Sequence, residues 1–94
     1  MNGTAVTWTL AVSKTLDRIP GYLRDKFHYW VDLVVRYGIR EVRKQRSFHD
    51  EPLKGPLLGR RSVRLNKAYR VIYLETRGDL AILVVEVTKH AYQK

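Results

Sequence analysis

Apolar and β-branched residues alternate with polar ones from Val6 to Ala11, VTWTLA, and a period of two predicts a first strand there. Ser13 is placed to cap a short helix that ends near Ile19, because Pro20 and Gly21 break the pattern that follows. The next apolar positions, Leu23, Phe27, Trp30, Val34 and Tyr37, step by four, three, four and three. That spacing stacks them in one stripe of a longer helix, able to cover a sheet. Gly38 is expected to cap or bend this helix, since glycine enters left-handed backbone conformations without a Cβ clash. The basic segment IREVRKQ, residues 39–45, suits one or two further helical turns.

Residues 47–59, SFHDEPLKGPLLG, hold two prolines and two glycines and predict an irregular connection. The period then returns to two. RSVRLN and AYRVIYLE read as strands joined tightly around Asn66 and Lys67, and TRGD supplies a turn before LAILVVEVT. The unbroken apolar run LAILVV predicts a strand buried on both faces. The expected order is β-α-α-β-β-β, an α+β fold in which a small antiparallel sheet carries two N-terminal helices on one face and is polar on the other. Residues 1–94 are expected to form a single domain, and no internal repeat or low-complexity segment interrupts them.

Charge changes the picture. Eighteen Lys and Arg face nine Asp and Glu, for a net charge of +9 and a pI near 10.2. Such a surface attracts polyanions: nucleic acid, an anionic membrane surface, or an acidic protein that masks it. No apolar run approaches the roughly 18 residues of a membrane span, and no secretory signal pattern opens the chain, so a soluble, unexported protein is expected. The absence of cysteine removes disulfide and thiol chemistry and fits a reducing compartment.

The histidines at 28, 49 and 90 show no metal-ligand spacing, and no nucleotide-binding or nucleophilic-serine motif is present, so no metal and no cofactor is expected. What remains is a basic constellation: Arg40, Arg43, Lys44, Arg46, Lys54, Arg60, Arg61 and Arg64, against Glu41, Asp50 and Glu51. Alternation puts Ser62 and Arg64 on a wet strand face and Arg61, Val63 and Leu65 on the other. Arg70 shares its face with Ile72 and Leu74 and is expected at the rim of a groove. If the last strand continues past Lys89, His90 and Tyr92 project to one side. Metal-free RNA cleavage needs a base for the 2′-hydroxyl, cations for the phosphorane and an acid for the leaving 5′-oxygen. Glu51, the arginines and His90 are the residue types for those roles.

The stretch DEPLKGPLLGRRSVRLNKAYRVIYLE followed by VVEVTKHAY resembles the RelE/YoeB/HigB-type toxins of type II toxin-antitoxin systems, most strongly over residues 48–92. The resemblance implies a ribosome-dependent mRNA endonuclease of the bacterial cytoplasm, built as a small sheet with two helices and silenced by a cognate antitoxin, acidic or of a DNA-binding helix-turn-helix type. It implies Glu51 as general base, Arg70 on the scissile phosphate, His90 as general acid, and Arg64 as a stabiliser of the transition state. Lys54, Arg60, Arg61 and Lys89 fall among the RNA- or phosphate-binding cations. Tyr92 is a weaker transfer, because Ala91 splits the His-Tyr pair that is adjacent in the YoeB pattern.

Plainer readings stand beside these. Glu51 next to Pro52 also reads as a solvated loop carboxylate, His90 as a surface histidine, Arg70 as a structural partner of a carboxylate such as Glu86, and residues 40–46 as a solvated helix face. Trp8, Phe27 and Trp30 read as core. Two rival functions share the fold or the charge: a ParE-like toxin that binds DNA gyrase, and a non-catalytic RNA-binding domain.

Overall fold

The computed structural model describes residues 3–89. Strand β1, Ala5–Trp8, leads into helix α1, Leu10–Arg18. Thr9, not Ser13, caps α1: its hydroxyl accepts from the Val12 amide at 3.2 Å. Ser13 lies inside the first turn, where its Oγ accepts from Trp8 Nε1 at 3.1 Å. The helix therefore starts earlier than the strand pattern suggested, because Leu10 and Ala11 continue the alternation only by coincidence of type. Pro20 ends one helix and opens the next, α2, Gly21–Tyr37, where a missing N–H costs nothing.

The buried stripe of α2 is Leu23, Phe27, Trp30 and Val34; Tyr37, expected on it, is half exposed. Gly38, at φ 92°, closes α2 and starts α3, Ile39–Val42, which buries Ile39 and Val42. Thr4 ties this corner down: its Oγ1 accepts from the Ile39 amide at 2.9 Å and donates to the Asp79 carbonyl at 2.8 Å.

The connection after α3 is more ordered than its prolines suggested. It holds two 3-10 turns, Arg46–Phe48 and Gly55–Leu57, and between them a two-residue strand, β2, Glu51–Pro52. β2 pairs antiparallel with β3, Arg60–Arg64, placing Glu51 opposite Ser62 and Pro52 opposite Arg61. Proline is tolerated there because β2 is an edge strand. β4, Tyr69–Glu75, and β5, Ala81–Lys89, complete a five-stranded sheet ordered β1-β5-β4-β3-β2. Only β1 and β5 run parallel among these pairs, joined by the long connection through the helices and the other three strands. Between β3 and β4, Asn66 Oδ1 accepts from the amides of Ala68 and Tyr69 at 2.8 and 2.7 Å, the local bonding that makes asparagine a turn residue.

β5 is not buried on both faces. Ile82, Val84 and Val87 are buried, whereas Leu83 and Val85 are partly exposed. The physical reason is that the helices cover one face of this sheet. A bulge falls in the middle of β5: Ile72 pairs with Glu86 but Tyr73 with Val84, leaving Val85 as the extra residue. The core lies between this face and the helices, with Trp30 and Tyr73 in ring contact at 5.6 Å and Phe27, Phe48, Val63, Leu65 and Val71 around them. Each such side chain contributes about 1.5–3 kcal/mol by leaving water. Trp8 packs against this cluster, 5.3 Å from Phe27, as expected for a core residue.

Candidate active site

Cross-strand neighbours share a face, so the pairings lay out the sheet surface opposite the helices. One row runs Glu51, Ser62, Ile72, Glu86; the next runs Arg64, Arg70, Thr88. The Ser62 and Arg64 face was expected to be wet and Arg70 at a groove rim, but Ser62 is 1% exposed and Arg70 7%. The Arg70 guanidinium reaches the Ser62 hydroxyl, Nη1 donating to Oγ at 3.1 Å. The same Nη1 stands 3.5 Å from Glu51 Oε2. Glu51 remains about half exposed, and its other oxygen faces His49 Nε2 at 3.9 Å. One carboxylate thus sits between a guanidinium and an imidazole, open to solvent along its remaining side.

Arg64 is paired with Arg70 across β3 and β4. Its Nε is buried and has no hydrogen-bond partner among the described residues. Like charges directly opposite on neighbouring strands repel, and Glu51, 3.5 Å from Arg70, offsets part of this.

The other face holds a second network that sequence patterns did not reveal. Asp50, whose side chain is 1% exposed, accepts from Tyr73 Oη on Oδ2 and from Arg61 Nε on Oδ1, both at 2.6 Å. Arg43 Nε donates to Tyr73 Oη at 3.2 Å and its Nη2 pairs with Glu75. Burial, together with the charge of Asp50 and the hydrogen bond donated to it, pushes the Tyr73 phenol well above its ordinary range. For Arg43, burial opposes the charge, but the hydrogen bonds to Glu75 and Tyr73 outweigh it and the guanidinium pKa is raised.

The residues singled out in the sequence therefore divide. Glu51 meets Arg70 at 3.5 Å, and Arg64 is in register with Arg70 on the same face. Arg60 is on their face but four residues along β3 from Arg64, about 13 Å. Lys54 is exposed at the head of the Gly55–Leu57 turn. Arg61 is not on this face: its guanidinium is committed to Asp50 beneath the sheet. Lys89 pairs with Tyr69, which belongs to the helix side, so Lys89 too points away from Arg70. His90 and Tyr92 lie outside the described residues. Asp50 and Tyr73 escaped the sequence reading because their partners are 11 and 23 residues away from Asp50 and no local pattern links them.

No family model matches the chain, and no curated protein sequence matches it. Solved structures do. Over 96% of its length the chain is similar to a chain of the archaeal RelE-RelB complex from Pyrococcus horikoshii OT3, with a TM-score of 0.74, 22% identity and 98% of that chain covered. It is similar over 94% of its length to the YoeB/ParE toxin from Agrobacterium tumefaciens, with a TM-score of 0.66, 22% identity and 100% of that chain covered. A chain of the E. coli DinJ-YafQ toxin-antitoxin complex matches over 94% of this one and 93% of its own length, at a TM-score of 0.72 and 18% identity. The class is therefore fixed at the level of fold: N-terminal helices and a mostly antiparallel five-stranded sheet in the RelE-like arrangement. Along its length it is matched by RelE, YoeB, YafQ and ParE toxins.

Proposed function

We propose that this protein, residues 1–94 acting as one domain, is the toxin of a bacterial toxin-antitoxin pair and an endonuclease that cuts mRNA on the ribosome in the cytoplasm. The observation that carries the reading is the meeting of a half-exposed carboxylate, Glu51, with the buried guanidinium of Arg70 beside an in-register second arginine, Arg64. In the proposed reaction Glu51 takes the proton of the 2′-hydroxyl and the 2′-oxygen attacks phosphorus. Arg70 and Arg64 bear the charge that accumulates on the phosphorane oxygens. The bond to the 5′-oxygen breaks, and His90 gives that oxygen its proton. The products are a 2′,3′-cyclic phosphate and a 5′-hydroxyl. A carboxylate already in contact with a cation is suited to this, because the guanidinium is in place before charge develops.

The proposed partner is an acidic antitoxin that covers the Arg64–Arg70 face, and the net charge of +9 supports fast electrostatically steered encounter with it. The test is expression in a bacterial host with mRNA ends mapped by primer extension. Arrest of growth with new cuts in translated messages is the expected result. DNA-damage signalling with intact mRNA would replace the endonuclease reading with gyrase binding.

A further inference from the structure

We infer that Asp50 is the positioning residue of this site: its buried carboxylate, clamped by Tyr73 and Arg61, fixes the direction in which the next residue, Glu51, projects. The inference rests on the proposed role of Glu51 only for its catalytic consequence; its structural content stands alone.

Glu51 does not hold itself in place. Its contacts, 3.5 Å to Arg70 and 3.9 Å to His49, are longer than charge-assisted hydrogen bonds, and its side chain is about half exposed. The backbone holds Glu51 at the sheet edge: it sits opposite Ser62, β2 is two residues long, and past Pro52 the pairing continues through the Leu53 amide to the Arg60 carbonyl at 2.9 Å. The segment also enters from His49, whose φ of 50° is unusual for a residue with a Cβ.

Beside this edge pairing stands a side-chain anchor. Both oxygens of Asp50 accept short bonds, from Tyr73 Oη and Arg61 Nε, at 2.6 Å each. Tyr73 is fully buried and its ring contacts Trp30, so its hydroxyl is a fixed point of the core. Arg61 is the register partner of Pro52, so the second bond ties the segment to the strand it pairs with. Successive residues of extended chain project to opposite faces. A clamp that draws Asp50 to the helix side therefore turns Glu51 to the side of Arg70. The clamp acts through the sheet, because Arg61 and Tyr73 alternate with Ser62 and Ile72 and so project to the face opposite Arg70.

The test compares the full-length wild-type protein with Asp50→Asn, Tyr73→Phe and Glu51→Gln. Amide hydrogen exchange is read at Leu53 and, as core references, at Val71 and Ile82. Cleavage of mRNA in a reconstituted translation mixture is read as maximum rate and half-saturating toxin concentration. For Asp50→Asn the expected result is at least tenfold faster exchange at Leu53 with the core references unchanged. The maximum rate falls about 10- to 100-fold while half-saturation stays within about threefold, as befits a misaimed base rather than lost binding. Tyr73→Phe, which keeps the ring in the core and removes one of the two bonds, moves both readouts the same way by less. Unchanged Leu53 exchange in both variants overturns the inference, as does a maximum rate equal to wild type in both while Glu51→Gln is inactive. A wild-type protein that cuts no RNA, combined with faster Leu53 exchange in Asp50→Asn, sinks the endonuclease reading and supports the clamp.

Discussion

Arg64 and Arg70 face each other in register across β3 and β4, on the sheet surface that the helices leave open. Arg70 has Ser62 and Glu51 within reach, whereas Arg64 Nε is buried without a hydrogen-bond partner among the described residues. An anion such as phosphate is expected to be drawn to this pair.

Inorganic phosphate should therefore stabilise the protein more than chloride at equal ionic strength. For a protein of this size about 1 kcal/mol of binding linkage raises the thermal midpoint by about 4–8 °C. Arg64→Ala should remove the phosphate-specific part of the shift. Equal midpoints in the two salts for the wild type would mean that this face binds no phosphate.

Glu51→Ala and His90→Ala should each lower mRNA cleavage by about 10² to 10⁴, the usual worth of a general acid or base. Cells expressing either variant should grow. Primer extension on a translated message gives the measurement, and a double variant that cuts like wild type would remove both assignments.

The alkaline limb of stability should report on Tyr73. Its pKa is raised in the folded state, so as pH climbs past the ordinary phenol value, roughly 10, the unfolded chain releases this proton while the folded chain keeps it. That contribution to stability is complete below the ordinary value and is lost as pH rises from there toward the folded-state value. Tyr73→Phe should flatten this part of the pH dependence in urea unfolding. Asp50→Asn, which removes the neighbouring negative charge that raises it, should bring the Tyr73 titration down, as read by tyrosinate absorbance.

Association with an acidic antitoxin should slow steeply as salt is added, because the Debye length shrinks from about 10 Å at 0.1 M to about 3 Å at 1 M. Stopped-flow mixing at several ionic strengths measures this. A rate indifferent to salt would show that the net charge of +9 does not steer the encounter.

Much of the fold was legible where periodicity was long. The α2 stripe from Leu23 to Val34 and the strands around Val63 and Val71 followed from spacing, because packing on one face imposes it, whereas the strand at Ile82 followed from an apolar run that misstated its burial. β2 was not legible: two residues carry no period, and Pro52 argues against a strand unless the edge position is known. Alternation correctly separated Arg64 from Arg61, but it could not say that Arg61 would be spent on a carboxylate 11 residues away. The same limit hid the burial of Ser62, since a polar residue on an open face reads as wet until its neighbour is seen lying on it, and it placed Arg70 at a rim where the structure buries it.

The extra residue at Val85 has a consequence for how this sheet tolerates change. Were β5 to run without the bulge, Glu86 would turn in among Trp30 and Tyr73 and Val87 would emerge beside Arg70. The kink lets the two halves of the strand keep separate phase, the first set by β1 and the second by the arginine row. Loss of Val85 would leave Glu86 and Val87 facing as they do now, so a length change of one at this point is absorbed locally, and the orientation of Thr88 opposite Arg70 survives it.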